Sequence, residues 1–430
     1  MLALSKTGIT GMGIISSIGN DLAEFSAALQ AGKSGIRKVP SVREPAVSVD
    51  IVADIQHFHF LGSLERLQDI PAEKLEQARR LGRRAPLTIQ VSLIAALQAW
   101  HSARLFSDRP SPDRTGLIVA GQNSTQNYQY DIMPKFRKDP EYLSPRYALE
   151  FLETNQVGVL SELFDIKGEG FVVGGASATG NVGIIKGCQL IQLGLADVCL
   201  VMGVVADLSP MDIQGFVNIG AMGGKHYANE PEKACRPFDS AHEGFIYGQA
   251  GACVIIESAE SARRRGVPLM ATIMGSSLNL DANSSADPNI NGETKAMLSA
   301  LRQAGLSATD LGYINTHGSS SPLGDKTEAA AIGQVFGEHA SRLWLNATKG
   351  LTGHCLYAAG LVEAIATVEQ LRSGFLHGNK NLETPICTHL QFCGAAAVQH
   401  STDIAMSNAF GFGGINTSII FRREQDGEKL

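Results

Sequence analysis

The sharpest changes of hydrophobic period along the chain fall between residues 171 and 203. Phe171–Val173 is a short apolar run that predicts a strand. Gly174 and Gly175 then let the chain turn sharply. Ile184, Ile185, Leu190, Ile191 and Leu193 recur at mixed helical spacings, which predicts a helix starting at Ser177 and stopping near Gly194. Val198–Met202 is unbroken apolar sequence, as expected of a strand buried on both faces. Elsewhere the pattern predicts a short amphipathic helix over Asp21–Ala31 and a longer one over 78–100, basic at its start and apolar to Trp100. Ala252–Ile256 and Pro268–Ser277 read as strands flanking a charged helix. Residues 38–76, with Pro40, Pro45, His57 and His59, show no period and read as a surface excursion. Residues 121–160 are polar and aromatic (Asn123, Gln126, Tyr128, Tyr130) and read as a loop-rich cap or an oligomer contact. Strands alternating with helices predict parallel sheet covered on both faces, in two halves, 1–258 and 259–430. No internal repeat is visible in the sequence itself.

Composition narrows the class. A chain of 430 residues, 44% hydrophobic and with 46 glycines, suits a soluble α/β protein with a large core and many tight turns. A net charge of −6 argues against a general nucleic-acid binder. No apolar run reaches membrane-spanning length, and the N-terminal residues lack the pattern of a signal peptide. The seven cysteines are odd in number and lie mostly in apolar runs (Cys188, Cys199, Cys253), as expected of reduced core residues in a cytoplasmic protein.

Candidate chemistry gathers at the glycine-rich turns. A hydroxyl at Ser177 would sit at the positive end of a helix, beside unpaired N–H groups. That place suits a nucleophile or the oxyanion of a carbonyl substrate, and equally a plain helix cap. His317 follows the predicted strand Tyr313-Ile-Asn-Thr and precedes a small-residue turn ending at Asp325. In an open α/β sheet such a position faces the ligand crevice. Asn346-Ala-Thr-Lys349-Gly-Leu-Thr-Gly-His354 delivers a Lys and a His to another helix start. Ser407-Asn-Ala-Phe410-Gly-Phe412-Gly-Gly-Ile-Asn416 describes a loop whose backbone approaches something closely. Arg79, Arg80, Arg83 and Arg84 are either a solvated helix end or a dock for an acidic partner. Two motifs are decoys. Gly11-Met-Gly13 lacks the third glycine and the acidic residue of a dinucleotide loop. Cys387, His389 and Cys393 have no second ligand pair at metal-site spacing.

Taken together, these stretches resemble the β-ketoacyl synthases, condensing enzymes of the thiolase fold, over almost the whole chain from Thr10 to Phe421. The family's active-site turn appears as Gly175-Ala-Ser177-Ala-Thr-Gly180. Its two histidine motifs appear as His317 to Asp325 and Thr348 to His354. The Arg236-Pro-Phe-Asp239 block and the 408–416 loop are intact. The resemblance implies a duplicated, five-layered αβαβα fold, a site built from Ser177, His317, His354 and Lys349, and an oxyanion hole and gate at Ser177, Phe412 and Phe410. Two departures stand out. The family's nucleophilic Cys is Ser177, and Gln249 replaces a Glu of the Gly-Glu-Gly-Ala-Gly motif.

An alcohol is far less acidic than a thiol, so condensation should be weak. Decarboxylation needs no nucleophile. The resemblance therefore implies conversion of malonyl-acyl carrier protein to acetyl-acyl carrier protein, as in stand-alone relatives of polyketide β-branching pathways. The alternatives are an acyltransferase or condensing enzyme using Ser177 covalently, and a non-catalytic partner subunit of the chain-length-factor kind. The resemblance further implies a homodimer paired through the Val198–Met202 strand and docking of the carrier on the four arginines. It implies a hydroxymethylglutaryl-synthase-like enzyme in the same pathway. No metal and no cofactor are expected beyond the phosphopantetheine that arrives on the carrier.

Overall fold

The structure is a computed structural model and describes residues 6–39 and 47–424. Its frame is an 11-stranded sheet. The strands are β1 (Thr7–Ser16), β2 (Thr115–Ala120), β3 (Gly170–Val173), β4 (Val198–Gly203), β5 (Ala250–Ser258), β6 (Ala271–Leu280), β7 (Tyr313–Asn315), β8 (Trp344–Asn346), β9 (Gln391–Phe392), β10 (Ile404–Gly411) and β11 (Ile415–Arg423). They lie in the order β9-β8-β7-β10-β11-β6-β1-β5-β4-β2-β3. β1 and β6 meet only over Thr7–Ile9 and Ala271–Ile273. Outward from that seam both sides repeat one plan: first strand, fifth, fourth, second, third, with β9 added at one edge. The pairings repeat too, antiparallel for the inner strands and parallel for the outer ones. The duplication that the sequence hides is therefore explicit in the topology. We propose dividing the chain at residue 258, where Ser258 caps the helix Ala259–Arg265.

The expected all-parallel sheet is corrected to a mixed one. β10 and β11 are joined through the Phe412–Gly414 turn, too short for the crossover that a parallel neighbour needs.

Five helices define the layers: α1 (Leu87–Ser102), α2 (Thr179–Gln192), α3 (Ile290–Ala304), α4 (Pro322–Phe336) and α5 (Ala359–Ser373). In β2, Leu117 and Val119 face α1, with Leu93 and Leu97, while Ile118 and Ala120 face the centre. Burial on both faces is why β4, and β2 after Thr115, are apolar throughout. The centre holds α2 and α5, with Ile184, Ile185, Leu361 and Ile365 packed between the two sheet regions. On the far side Met297, Leu301, Ile332 and Phe336 of α3 and α4 cover Ile314, Leu345 and Met406. Helix, sheet, helix, sheet, helix makes the five layers of the thiolase-like fold.

Three expectations need correction. The single helix over 78–100 is two, Ala72–Gly82 and α1, because Pro86 lacks an N–H and disfavours helical geometry at Ala85. Residues 38–76 are not wholly a surface excursion. Ile51, Ala53, Ile55, Phe60 and Leu64 are buried, and Phe60–Arg66 is helical. Pro40 and Pro45 lie outside the described residues. Residues 121–160 are helical rather than loop-rich, with helices at Gln126–Lys138 and Tyr147–Glu150 and the start of Thr154–Phe164. Stacking of Tyr147 on Tyr128 and Phe151, at 6.0 and 5.2 Å, ties the first two together where apolar periodicity is weak.

Candidate active site

The turn before α2 is tighter than a helix start. Ala176 takes the left-handed region at φ 48, and Ala176–Ala178 forms a 3₁₀ turn before α2 begins at Thr179. Ser177, half-buried, is thereby lifted into a cavity of about 790 Å³. Leu356 repeats this at φ 48, with a 3₁₀ turn over Leu356–Ala358 feeding α5. Tyr357 stands where Ser177 does in the first half, and it lines the same cavity. The two helix starts touch through glycines. A Cβ on Gly180 would lie 2.4 Å from the Leu361 nitrogen, and one on Gly360 would lie 2.7 Å from that of Asn181. Gly411 likewise lets β10 approach the Ser177 turn, with a Cβ there 2.5 Å from the Gly175 carbonyl oxygen.

His317, His354, Phe410 and Phe412 line the cavity with Ser177. The imidazole centres are 5.5 Å apart at 80°, and the Phe410 ring lies 5.8 Å from His317. Both histidines are held in one tautomer. The Leu356 N–H donates to Nδ1 of His354 at 3.0 Å. The Lys349 ammonium, a donor only, sits 3.3 Å from Nδ1 of His317 and donates to the His317 carbonyl at 2.6 Å. An Nδ1 that accepts carries no proton, so each neutral ring bears its hydrogen on Nε2. Burial, and then the Lys349 charge, hold both imidazoles well below their ordinary pKa. The site therefore offers two neutral N–H donors.

Lys349 does not line the cavity. It is buried behind His317, where Glu363 of α5 accepts its third hydrogen bond. Burial pushes Glu363 up to about 7, against the pull of Lys349. Glu328 of α4 accepts the N–H groups of His317 and Gly318, both at 2.8 Å, and burial raises it to about 7. Sequence reasoning missed Glu363 as a site residue. Its signal was available, as a carboxylate alone in the apolar run Leu361-Val-Glu363-Ala-Ile365. Gln249 accepts the Ile55 N–H at 3.3 Å and donates to the Tyr247 hydroxyl at 3.1 Å.

The four arginines stand apart from the cavity lining. Arg80 pairs with Glu162 at 2.5 Å and Arg79 with Glu76 at 3.4 Å, while Arg83 and Arg84 are exposed at the break between helices.

Fold and site together define a protein of the thiolase-like fold, and the chain belongs to the β-ketoacyl synthase family. Its N-terminal domain model matches residues 5–262 and its C-terminal domain model residues 270–383. Among relatives, the chain is 33% identical to the polyketide biosynthesis malonyl-ACP decarboxylase PksF of Bacillus subtilis strain 168, over 97% of this chain and 96% of that one. It is 32% identical to a 3-oxoacyl-[acyl-carrier-protein] synthase 2 of Coxiella burnetii, over 97% and 98%. Among solved structures, a β-ketoacyl synthase from Burkholderia phymatum matches with a TM-score of 0.84 at 26% identity, covering 98% of this chain and 100% of that one. The ishigamide ketosynthase/chain length factor matches with a TM-score of 0.85 at 25% identity, over 98% and 100%.

Proposed function

We propose that the protein decarboxylates malonyl carried on an acyl carrier protein, leaving acetyl on the carrier. The observation that carries this is the pair of Nε2–H donors on His317 and His354, held by acceptor Nδ1 atoms, in one cavity with an alcohol instead of a thiol. The malonyl thioester oxygen would accept from both rings. As the carbon–carbon bond breaks, its electron pair moves onto that oxygen as an enolate, and carbon dioxide leaves. The enolate carbon then takes a proton from water. Donors aimed at the developing charge lower that barrier directly. No Lys or Arg is among the described lining residues, and Phe245, Phe410 and Phe412 are. A carboxylate brought there sheds water without gaining a cation, which favours its loss. Backbone N–H groups of Ser177 and Phe412 would complete the oxyanion hole, with Phe410 and Phe412 as the gate. The likeness to PksF supports the reading.

The carrier would present its substrate on phosphopantetheine and dock on Arg83 and Arg84, the two of the four arginines that pair with no carboxylate among the described residues. The acetyl product would feed a hydroxymethylglutaryl-synthase-like enzyme of a β-branching polyketide pathway. Purified protein mixed with malonyl-carrier and read by intact mass tests the function. Conversion of the carrier to its acetyl form, with no adduct on the protein, is the expected result. An accumulating acyl-Ser177 adduct would replace it with the covalent transferase reading, which the half-buried hydroxyl in its strained turn favours. An unchanged carrier would leave the chain-length-factor kind of partner subunit.

A further inference from the structure

We propose that the carboxamides of Gln122, Asn123 and Gln126 form a polar wall beside Ser177 that restricts the site to short, polar acyl groups. This rests on the decarboxylase reading for the identity of the acyl group, but its test does not. The polar run Gln122-Asn-Ser-Thr-Gln-Asn127 leaves the end of β2, the strand paired with the β3 that leads into the Ser177 turn. Gln122, Asn123 and Gln126 line the cavity that Ser177 lines. Ser124, Thr125 and Asn127, between and after them, are buried and outside its lining. The run thus splits into residues that anchor and residues that line the cavity.

The anchors fix the wall. Thr125 Oγ1 donates to the Phe151 carbonyl at 3.2 Å, and the Asn127 N–H donates to the Asp207 carbonyl at 3.3 Å. Asn123 takes the left-handed region at φ 50, which Asn tolerates, and Glu153 accepts its N–H. Gln122 packs on the Ser177 turn itself. A Cβ on Gly174 would lie 2.2 Å from its Oε1, so glycine leaves the room that the carboxamide fills. An alkyl chain laid along these amides strips them of water and returns no hydrogen bond. A malonyl or hydroxylated acyl group returns one. Sites built to hydrogen-bond a substrate reject analogues that cannot.

Calorimetry with acetyl- and octanoyl-pantetheine amides, which cannot be decarboxylated, tests the wall on the full chain. The wild type should bind octanoyl no more tightly than acetyl. Gln122→Leu with Asn123→Leu should shift that ratio about 10–100-fold toward octanoyl, the range that a few methylenes command in an apolar site. Gln126→Leu alone should shift it in the same direction and serves if the double variant does not fold. Tight octanoyl binding by the wild type, or ratios unmoved by folded variants, would overturn the wall. Loss of malonyl decarboxylation with the discrimination intact would count against the proposed function alone.

Discussion

At the residue scale, the site depends on which atoms are left free to donate. Lys349 and the Leu356 N–H each occupy an Nδ1, so the histidines can only present Nε2–H. Ser177→Ala keeps the backbone N–H and should retain much of the malonyl-carrier decarboxylation in a steady-state assay. His317→Ala and His354→Ala each remove a donor and should lower kcat by about 10²–10³. If Ser177→Ala abolishes turnover instead, the hydroxyl is a nucleophile. Ser177→Cys restores a thiol at the start of α2 and should regain acyl loading, visible as a mass adduct. The histidines, Lys349 and Ser177 were legible in the sequence because each sits in a motif of small residues. Glu363 stood out only as a lone carboxylate in an apolar run; its pairing with Lys349, between residues on separate helices, has no local spacing to read. The same scale carries a stability prediction. His377 is buried, donates from Nδ1 to the Gly378 carbonyl at 3.0 Å, and lies 3.1 Å from Thr348 Oγ1 through Nε2. Burial lowers it to about 4. As pH falls from about 6.5 toward 4, the unfolded chain takes up a proton there that the fold refuses. Stability contributed by the neutral ring, on the order of 3 kcal/mol, is full above pH 6.5 and drains across that window. Thermal unfolding between pH 7 and 4 should show a shallower decline for His377→Gln, and an unchanged slope would contradict this.

At the element scale, the two central helices start in the same way although their sequences share little. Ala176-Ser-Ala-Thr-Gly180 and Leu356-Tyr-Ala-Ala-Gly360 have the same left-handed first residue and the same closing glycine. The repeat was invisible in the sequence because only backbone geometry and one close contact are kept. That contact makes a paired prediction. Gly360→Ala places a Cβ against the Asn181 backbone and should destabilise by about 1–3 kcal/mol, as overpacking does. Gly158 lies on an exposed face of the helix Thr154–Phe164, with nothing within 4 Å of a Cβ. Gly158→Ala should stabilise by about 0.5–1 kcal/mol. Denaturant melts of the two variants should move in opposite directions, and a neutral Gly360→Ala would show that the crossing can spread. Other elements were misread for physical reasons. The break at Pro86 was hidden because helix-forming sequence runs up to it from both sides, basic before and apolar after, and the 126–150 helices carry a polar sequence held by aromatic stacking.

At the scale of the whole molecule, the strands and their alternation with helices were legible, but their order was not, because pairing is decided between segments far apart in the chain. That gap changes the assembly. The apolar strand expected to pair across a two-fold axis, β4, lies between β2 and β5 with both edges occupied. Its apolar sequence reflects burial within one chain. Of the two strands that end the sheet, β9 and β3, it is β3 that leads into the Ser177 turn, and it carries the exposed Phe171. An open edge with an apolar side chain is a template for another chain. We propose a homodimer in which β3 pairs antiparallel with its copy across a two-fold axis, joining both sheets. The cavity contains the turn that follows β3, so such a dimer would hold both Ser177 turns against one interface. Phe171→Lys puts a charge at that edge without touching the core. Light scattering should give a dimer for the wild type at micromolar concentration and a monomer for Phe171→Lys, with unchanged circular dichroism. A wild-type monomer, or a Phe171→Lys dimer as stable as the wild type, would move the interface away from β3.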